Sequence, residues 1–151
     1  MVALDFYDDS YKHDTLKNIP EEYADIDIVD INIEKVFLDR PINPVVFFKM
    51  SAWLLQQYES YSNAVFSFIC STDEIPNSDH RGMTPQMWRW TLFDRLFNRV
   101  KSQVDLNAQD VVVGPNEYLT YGRAFYRAKH APIIHIVCAY LREKQRQYDY
   151  L

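Results

Sequence analysis

The sequence predicts an α+β protein in which an antiparallel β-sheet packs against two or three α-helices in a single compact domain. Its 151 residues, 48% of them hydrophobic, suffice for one core. The segment "DIDIVDINIEKVFLD" alternates isoleucine with polar residues, which is typical of a strand. The segment "TPQMWRWTLFDRLFNRVKSQV" repeats apolar residues at helical spacing. We expect residues 1–22 to form an irregular acidic arm and residues 23–151 to form the domain.

In the first half of the chain, two apolar segments fit both a strand and a helix. Residues 1–22 have no sustained period and predict an irregular or extended arm. In the isoleucine strand, the break at Val29-Asp30 could be a bulge. The segment "VVFFKMSAWLL" predicts a central strand, although its length also permits a helix. The segment "YSNAVFSFICSTDEI" favours a helix capped by Ser62, whereas its alternation from Ala64 to Cys70 would also fit a strand.

The second half begins with the clearest helix. Thr84 is its predicted N-cap and Pro85 its first residue. The segment "DVVVG" either forms a short strand or exposes an apolar patch. The segments "YLTYGRAFYRA" and "PIIHIVCAYLRE" predict two strands joined by a turn at "KHAP", and "KQRQYDYL" predicts a frayed tail.

The charge is unevenly distributed along the chain. Residues 1–39 contain 11 acidic residues and three lysines, so the remaining residues carry 10 acidic and 13 basic side chains. An acidic segment beside a mildly basic body is typical of self-association or of masking a basic surface, and equally of a solvated tail. Cys70 and Cys138 lie in apolar stretches, which predicts buried thiols in a reducing compartment and a cytoplasmic protein.

The sequence contains no catalytic signature. The histidines His13, His80, His130 and His135 lack the close spacing of a zinc site, and "SDHR" at 78–81 predicts a hydrogen-bonded loop rather than a triad. No phosphate-binding or dinucleotide-binding motif is present. We therefore expect a protein that is not an enzyme, with no cofactor, no metal and no small-molecule substrate.

Basic residues interleaved with aromatic residues indicate a binding surface. Such a pattern suits anionic partners, either phospholipid headgroups or phosphates. The excess of only three positive charges outside residues 1–39 argues against strong nonspecific binding of nucleic acid. The candidates for binding an anionic surface are Arg89, Arg95, Arg99, Lys101, Arg123, Arg127 and Lys129.

Several collinear segments resemble rhabdovirus matrix proteins. "VVFFKMSAW" followed by "YSNAV" is similar to the start of the vesiculovirus matrix core, and "TDEIPNSDHRGM" before an aromatic helix resembles the lyssavirus type. "GPNEYLTYGRAFYR" resembles a vesiculovirus segment in which Gly, Pro, Glu and Tyr lead into a Gly-Arg-Ala strand. The resemblance covers residues 44–141.

The resemblance implies a viral structural protein of the host cytoplasm and the virion. Such a protein self-associates, condenses the nucleocapsid and attaches peripherally to the inner face of the membrane during assembly and budding. In the vesiculovirus type, an apolar loop ahead of the Glu-Tyr strand docks onto a neighbouring molecule. "DVVVG" occupies that place here, so the implied self-association residues are Val111, Val112, Val113 and Pro115.

The acidic N-terminal region departs from this family. Rhabdovirus matrix proteins carry a lysine-rich arm and a proline-rich budding motif, and residues 1–39 contain neither. An alternative interpretation is a small cytoplasmic inhibitor or immunity-type protein, whose acidic arm binds a basic partner one to one. Carboxylates such as Glu21 and Glu22 would then carry the affinity.

Overall fold

In the part of the chain that the structure describes, five β-strands form one sheet and three α-helices cover its two faces. The computed structural model describes residues 2–7, 18–33, 44–69, 85–113 and 120–149. In chain order the strands and helices are β1 (Val2–Phe6), β2 (Asp27–Ile33), α1 (Pro44–Ser60), β3 (Ala64–Ile69), α2 (Pro85–Val100), β4 (Asn107–Val113), β5 (Thr120–Tyr126) and α3 (Ile134–Asp149), with 3-10 turns at Glu21–Tyr23 and Ala128–Ile133.

The sheet is mixed rather than wholly antiparallel. Its strand order is β1-β2-β3-β5-β4, and three of its four strand pairs are antiparallel. The pair β2 and β3 is parallel because α1 connects the two strands and returns the chain to the end of the sheet where β2 began. The predicted α+β class and single compact domain are confirmed, and the prediction of antiparallel pairing fails only at this pair.

Strand β2 is buried on both faces, which explains the break in its alternation. Ile28 belongs to the core on one face of the sheet, and Val29 belongs to the core on the other. Their neighbours pair in a continuous register, from Asp27 opposite Ala64 to Asp30 opposite Ser67. The two adjacent apolar residues therefore point to opposite faces, and the predicted bulge at Val29-Asp30 is wrong.

One core lies between the sheet and α3. Its buried members include Ile28, Val65 and Val111 from three strands, and Val137 and Leu141 from the helix. Cys138 also lies there, and burial raises the pKa of its thiol to about 11. The thiol is therefore protonated at neutral pH, which agrees with the predicted buried cysteine. Cys70 lies outside the described residues.

The second core lies between the opposite face and helices α1 and α2, and it is rich in aromatic rings. The Phe68 ring stacks on Phe93 of α2 with centroids 3.7 Å apart. Tyr58 of α1 meets Phe66 edge to face at 5.6 Å. Both contacts bring a helix onto β3, so this strand anchors the aromatic layer.

Two predicted assignments in the first half are exchanged. The segment "VVFFKMSAWLL" lies in α1 and not in a central strand, and residues 64–69 form β3 and not a helix. All five residues from Ala64 to Phe68 are buried, because both faces of β3 are covered. A strand covered on both faces has a continuous apolar sequence, so its period cannot distinguish it from a helix.

The predicted C-terminal strand is also wrong. Residues 128–133 form a 3-10 turn and α3 follows it, extending through most of the predicted frayed tail to Asp149. The buried residues Ile134, Val137, Cys138 and Leu141 recur at intervals of three and four, while His135 is exposed. This spacing is helical, and it outweighs the strand preference of the β-branched residues. The predicted strands at β2 and β5 and the helix from Pro85 are confirmed.

The predicted acidic arm contributes an edge strand to the sheet. Residues 2–6 pair antiparallel with β2, from Val2 opposite Ile33 to Phe6 opposite Val29. The Tyr7 amide then donates to the Ile28 carbonyl at 3.0 Å. Part of residues 1–22 is therefore integral to the sheet rather than an irregular arm.

Gly122 permits the close approach of β5 to β3. A Cβ atom at this position would lie 2.7 Å from the Phe68 carbonyl oxygen and 3.1 Å from Ile69 Cγ1. We predict that Gly122→Ala lowers the free energy of unfolding by about 1–3 kcal/mol, because the backbone of β3 would have to shift. Urea denaturation measures the effect. The control Gln109→Ala, at an exposed position of β4, should change stability by less than about 0.5 kcal/mol, and an equal effect of both variants would refute the packing argument.

Candidate interaction surfaces

The predicted self-association residues lie in and beyond strand β4. Val111 is 1% exposed and belongs to the α3 core, so the prediction that it forms a contact surface is wrong. Val112 is 47% exposed because alternate side chains of a strand face opposite directions. The side chain of Val113 and the whole of Pro115 lie outside the described residues. Val112 is thus the predicted contact residue that the structure places on the surface.

Among the described strands, β4 is at one edge of the sheet, and it pairs with β5. It spans seven residues from Asn107 to Val113 and contains no proline and no lysine. Natural sheets commonly protect their edges with such residues, because the outward backbone groups otherwise pair with another strand. The outer edge of β4 is therefore chemically suited to adding a strand.

Arg123 is part of the protein interior and cannot bind an external anion as predicted. It is 6% exposed, and its guanidinium donates to Asp110 at 2.7 Å and to Asp94 at 2.8 Å. The same group lies 4.6 Å above the Trp90 ring. Burial lowers the pKa of Arg123, but the bonds to the two carboxylates outweigh this effect and raise it. The ion pairs join β5 to β4 and α2.

Arg127 also has a structural role. Its guanidinium lies 4.0 Å above the Tyr58 ring and donates to the carbonyl oxygens of Tyr58 and Tyr61. These carbonyls are at the C-terminal end of α1, where intrahelical donors are missing. Arg127 therefore caps α1, and because its side chain is half-buried, its binding to an anionic partner stays a prediction.

Four of the predicted cations remain exposed, namely Arg95, Arg99, Lys101 and Lys129. The Arg99 guanidinium lies 4.5 Å above the ring of Phe48, and Lys101 Nζ lies 5.7 Å from the centroid of the Phe97 ring. Neither has an ion-pair partner among the residues that the structure describes. The side chain of Arg89 lies outside those residues. The exposed cations of α2 thus sit beside aromatic rings.

Helix α1 adds apolar residues to this basic area. Val45 is 63% exposed and Phe48 is 55% exposed, with exposed Lys49 next to them. We call Val45, Phe48, Lys49, Arg99 and Lys101 the basic-apolar surface. The sequence did not predict this surface, because residues 45–55 were interpreted as a strand. Only a helical spacing of three and four places Val45, Phe48 and Lys49 on one side.

A cavity of about 50 Å³ lies beneath the junction of α1 and α2. Side chains from both helices form its walls, and Phe66 and Phe125 of the sheet form its floor. Tyr58 borders it and donates its hydroxyl to the Asp105 carbonyl at 2.8 Å. Burial raises the pKa of Tyr58 well above its usual value, so the phenol remains a hydrogen-bond donor. The cavity surface is otherwise formed almost entirely by apolar and aromatic side chains.

A polar cluster on the α3 side of the sheet surrounds Asp30. Its carboxylate accepts the Ser67 hydroxyl at 2.7 Å and the Tyr7 hydroxyl at 3.1 Å. Ser67 is fully buried and donates directly to the carboxylate without an intervening histidine, so the arrangement lacks the base of a nucleophilic triad. Within the described ranges, no three residues of the His, Cys, Asp and Glu types are placed to hold a metal ion.

His130 is a buried histidine, and within the described residues only one of its two ring nitrogens has a hydrogen-bond partner. It is 1% exposed, and its Nε2 lies 3.1 Å from Asn63 Oδ1. The Asn63 amide donates to the Asp25 carbonyl, so its oxygen accepts and His130 Nε2 donates. Nδ1 has no hydrogen-bond partner within the described part of the chain. Burial, followed by Lys129 and Arg127, lowers the pKa of this imidazole, against an opposing effect of Asp105.

The comparisons with known proteins identify no relative. No protein-family model, curated protein or solved structure matches the chain. None of the helices in the described ranges is both long enough and apolar enough to span a bilayer. The resemblance to rhabdovirus matrix proteins therefore stays a prediction.

We predict that the two carboxylates beside Arg123 act redundantly. Asp94→Asn or Asp110→Asn alone leaves the buried guanidinium with one charged partner, whereas the double variant leaves it with none. The double variant should therefore lose more stability than the sum of the single variants, by about 1–3 kcal/mol. The unchanged protein, the two single variants and the double variant form a double-mutant cycle, and chemical denaturation measures the free energy of unfolding of each. Simple additivity would contradict this prediction, because it would show that the two carboxylates stabilise the fold independently of each other.

We predict that His130 makes the folded state sensitive to acid. Its pKa in the fold lies below the ordinary value of 6.5, so the unfolded chain binds the proton more tightly. The contribution of His130 to the free energy of unfolding is therefore fully present above about pH 6.5. It decreases as the pH drops towards the folded pKa, by at most about 1.4 kcal/mol per pH unit. Urea denaturation between pH 7 and 5.5 measures this slope.

The matched variants are His130→Leu and His135→Gln. His130→Leu should flatten the slope, and His135→Gln should leave it unchanged because His135 is exposed. An unchanged slope in His130→Leu would assign the acid sensitivity to another group.

Proposed function

We propose that the protein is a matrix-like structural protein of viral assembly, which self-associates and binds an anionic surface. In this role it condenses the nucleocapsid and links it to the inner face of the membrane during budding, in the host cytoplasm and the virion. The observation that carries the proposal is the position of β4 at the edge of the described sheet, with Val112 47% exposed. Association between copies is the property that such an edge supports best.

The two ends of the sheet support growth of an assembly. Strand β1 and strand β4 are the two outermost strands of the described sheet. Pairing of β4 with β4 of a second copy would close a symmetric dimer, whereas pairing of β4 with β1 would leave a free edge at each end. The second arrangement extends indefinitely, which is the behaviour required of a protein that coats a nucleocapsid.

The basic-apolar surface supports attachment to anions. Phe48 and Val45 offer exposed apolar side chains, and Arg99 and Lys101 offer positive charge beside them. A peripheral protein binds anionic headgroups through this combination, because apolar burial and charge attraction add. This surface lies on the helical layer and β4 lies at the sheet edge, so one molecule can use both.

Light scattering across a concentration series tests self-association. We predict that the average mass rises with concentration and that Val112→Asp abolishes the rise, because a charge at the edge opposes strand addition. The matched control is Val45→Asp, which introduces the same charge at another exposed valine and should leave association intact. Circular dichroism verifies that both variants are folded.

A monomer of constant mass at every concentration would contradict the proposal. It would favour the one-to-one binding protein instead, whose acidic residues Glu21 and Glu22 are exposed on the first 3-10 turn. Equal loss of association in both aspartate variants would place the contact elsewhere than at the β4 edge.

A further inference from the structure

The cavity between α1 and α2 has the chemistry of an alkyl-binding site. Eleven of its twelve lining residues are apolar or aromatic, among them Leu55, Phe97 and Val100. The Tyr58 hydroxyl on its wall is already used by the Asp105 carbonyl. A polar ligand would therefore lose its hydration with little in return, whereas a hydrocarbon would lose nothing. The walls select an apolar occupant.

The size of the cavity limits that occupant to a single chain. A volume of about 50 Å³ corresponds to roughly three to five water positions, since one position needs about 10–15 Å³. Water is poorly retained in a cavity with so few polar partners. A few methylene groups fill the same space, and burial of each contributes about 0.8 kcal/mol. A cavity of this volume suits the end of one alkyl chain.

Two cations lie beside the junction of α1 and α2 that covers the cavity. Leu55, Phe97 and Val100 are only half-buried, so the cavity meets the surface between the two helices. Lys101 Nζ lies 5.7 Å from the centroid of the Phe97 ring, a wall of the cavity. Arg99 reaches from α2 to the Phe48 ring of α1, so it spans the same junction. Both cations lack a carboxylate partner in the described ranges.

We infer that this cavity binds the alkyl end of a free fatty acid, whose carboxylate is held by Arg99 and Lys101. The apolar walls account for the chain, the volume for its single alkyl tail, and the two cations for a negative headgroup. The site is separate from the β4 edge, so it does not depend on self-association. It adds a small-molecule ligand to a chain whose sequence predicts no small-molecule substrate.

Titration with sodium octanoate below its micellar range tests the site, with binding followed by calorimetry and by protein NMR shifts. We expect saturable binding, with the largest shifts at the lining residues. Acetate supplies the carboxylate without the chain, and octyltrimethylammonium supplies the chain with the opposite charge. Both should bind at least about tenfold more weakly, because each lacks one of the two interactions.

Two pairs of variants locate the binding. Leu55→Trp fills the cavity and should abolish octanoate binding, whereas Ile136→Trp enlarges a half-buried residue on the opposite helical layer and should not. The double variant Arg99→Gln with Lys101→Gln alters exposed residues only and should weaken binding about tenfold. Lys129→Gln, at an exposed cation elsewhere, should leave it unchanged.

Three results would overturn the inference. They are octanoate binding that does not saturate, equal binding by the two tryptophan variants, and binding to phosphatidylglycerol vesicles without binding to octanoate. The last result would assign the cations to a membrane surface. Light scattering of Leu55→Trp separates this test from that of the proposed function, because loss of octanoate binding with intact association concerns the cavity alone.

Discussion

The burial of β3 on both faces is the constraint on which the rest of the structure depends. Residues 64–68 alternate between two cores, so each face of the sheet must be covered by helix. Helix α3 covers one face, and α1 and α2 cover the other, where Phe68 stacks on Phe93. Pairing with β2 and β5 also occupies both edges of β3. Surfaces for partners are therefore left to the outer strands and to the outward sides of the helices.

The same burial determines how much of the fold the sequence reveals. The helix beginning at Pro85 and the strand β2 carry clear local signals, namely a first-turn proline and isoleucine alternation, and both were predictable. Strand β3 lacks a solvent side and so lacks a period. Helix α3 begins with β-branched residues after Pro132, which favoured a strand, and its helical spacing emerges only when Val137, Cys138 and Leu141 are considered together.

The candidate site was less predictable, because charge pairing depends on distant residues. Arg123 has the same local context of aromatic residues as an exposed binding arginine, yet it is neutralised by Asp94 and Asp110 from two other elements. The Arg127 guanidinium likewise donates to a carbonyl oxygen at the C-terminal end of α1. The position of Arg99 near the end of a predicted helix indicated exposure correctly. The cavity has no signal in the sequence, because it arises from imperfect packing between two helices and a sheet.

The strand order imposes a sequence of events on synthesis of the chain. Ile69 of β3 pairs with Gly122 of β5, which the ribosome adds 53 residues later. Until then the nascent chain holds an apolar strand with one edge unpaired and without α3 over its second face. Such an intermediate attracts other nascent chains and chaperones. Products truncated before residue 120 would lack both β5 and α3, so the apolar strand β3 would keep one unpaired edge and one uncovered face, a state that favours aggregation.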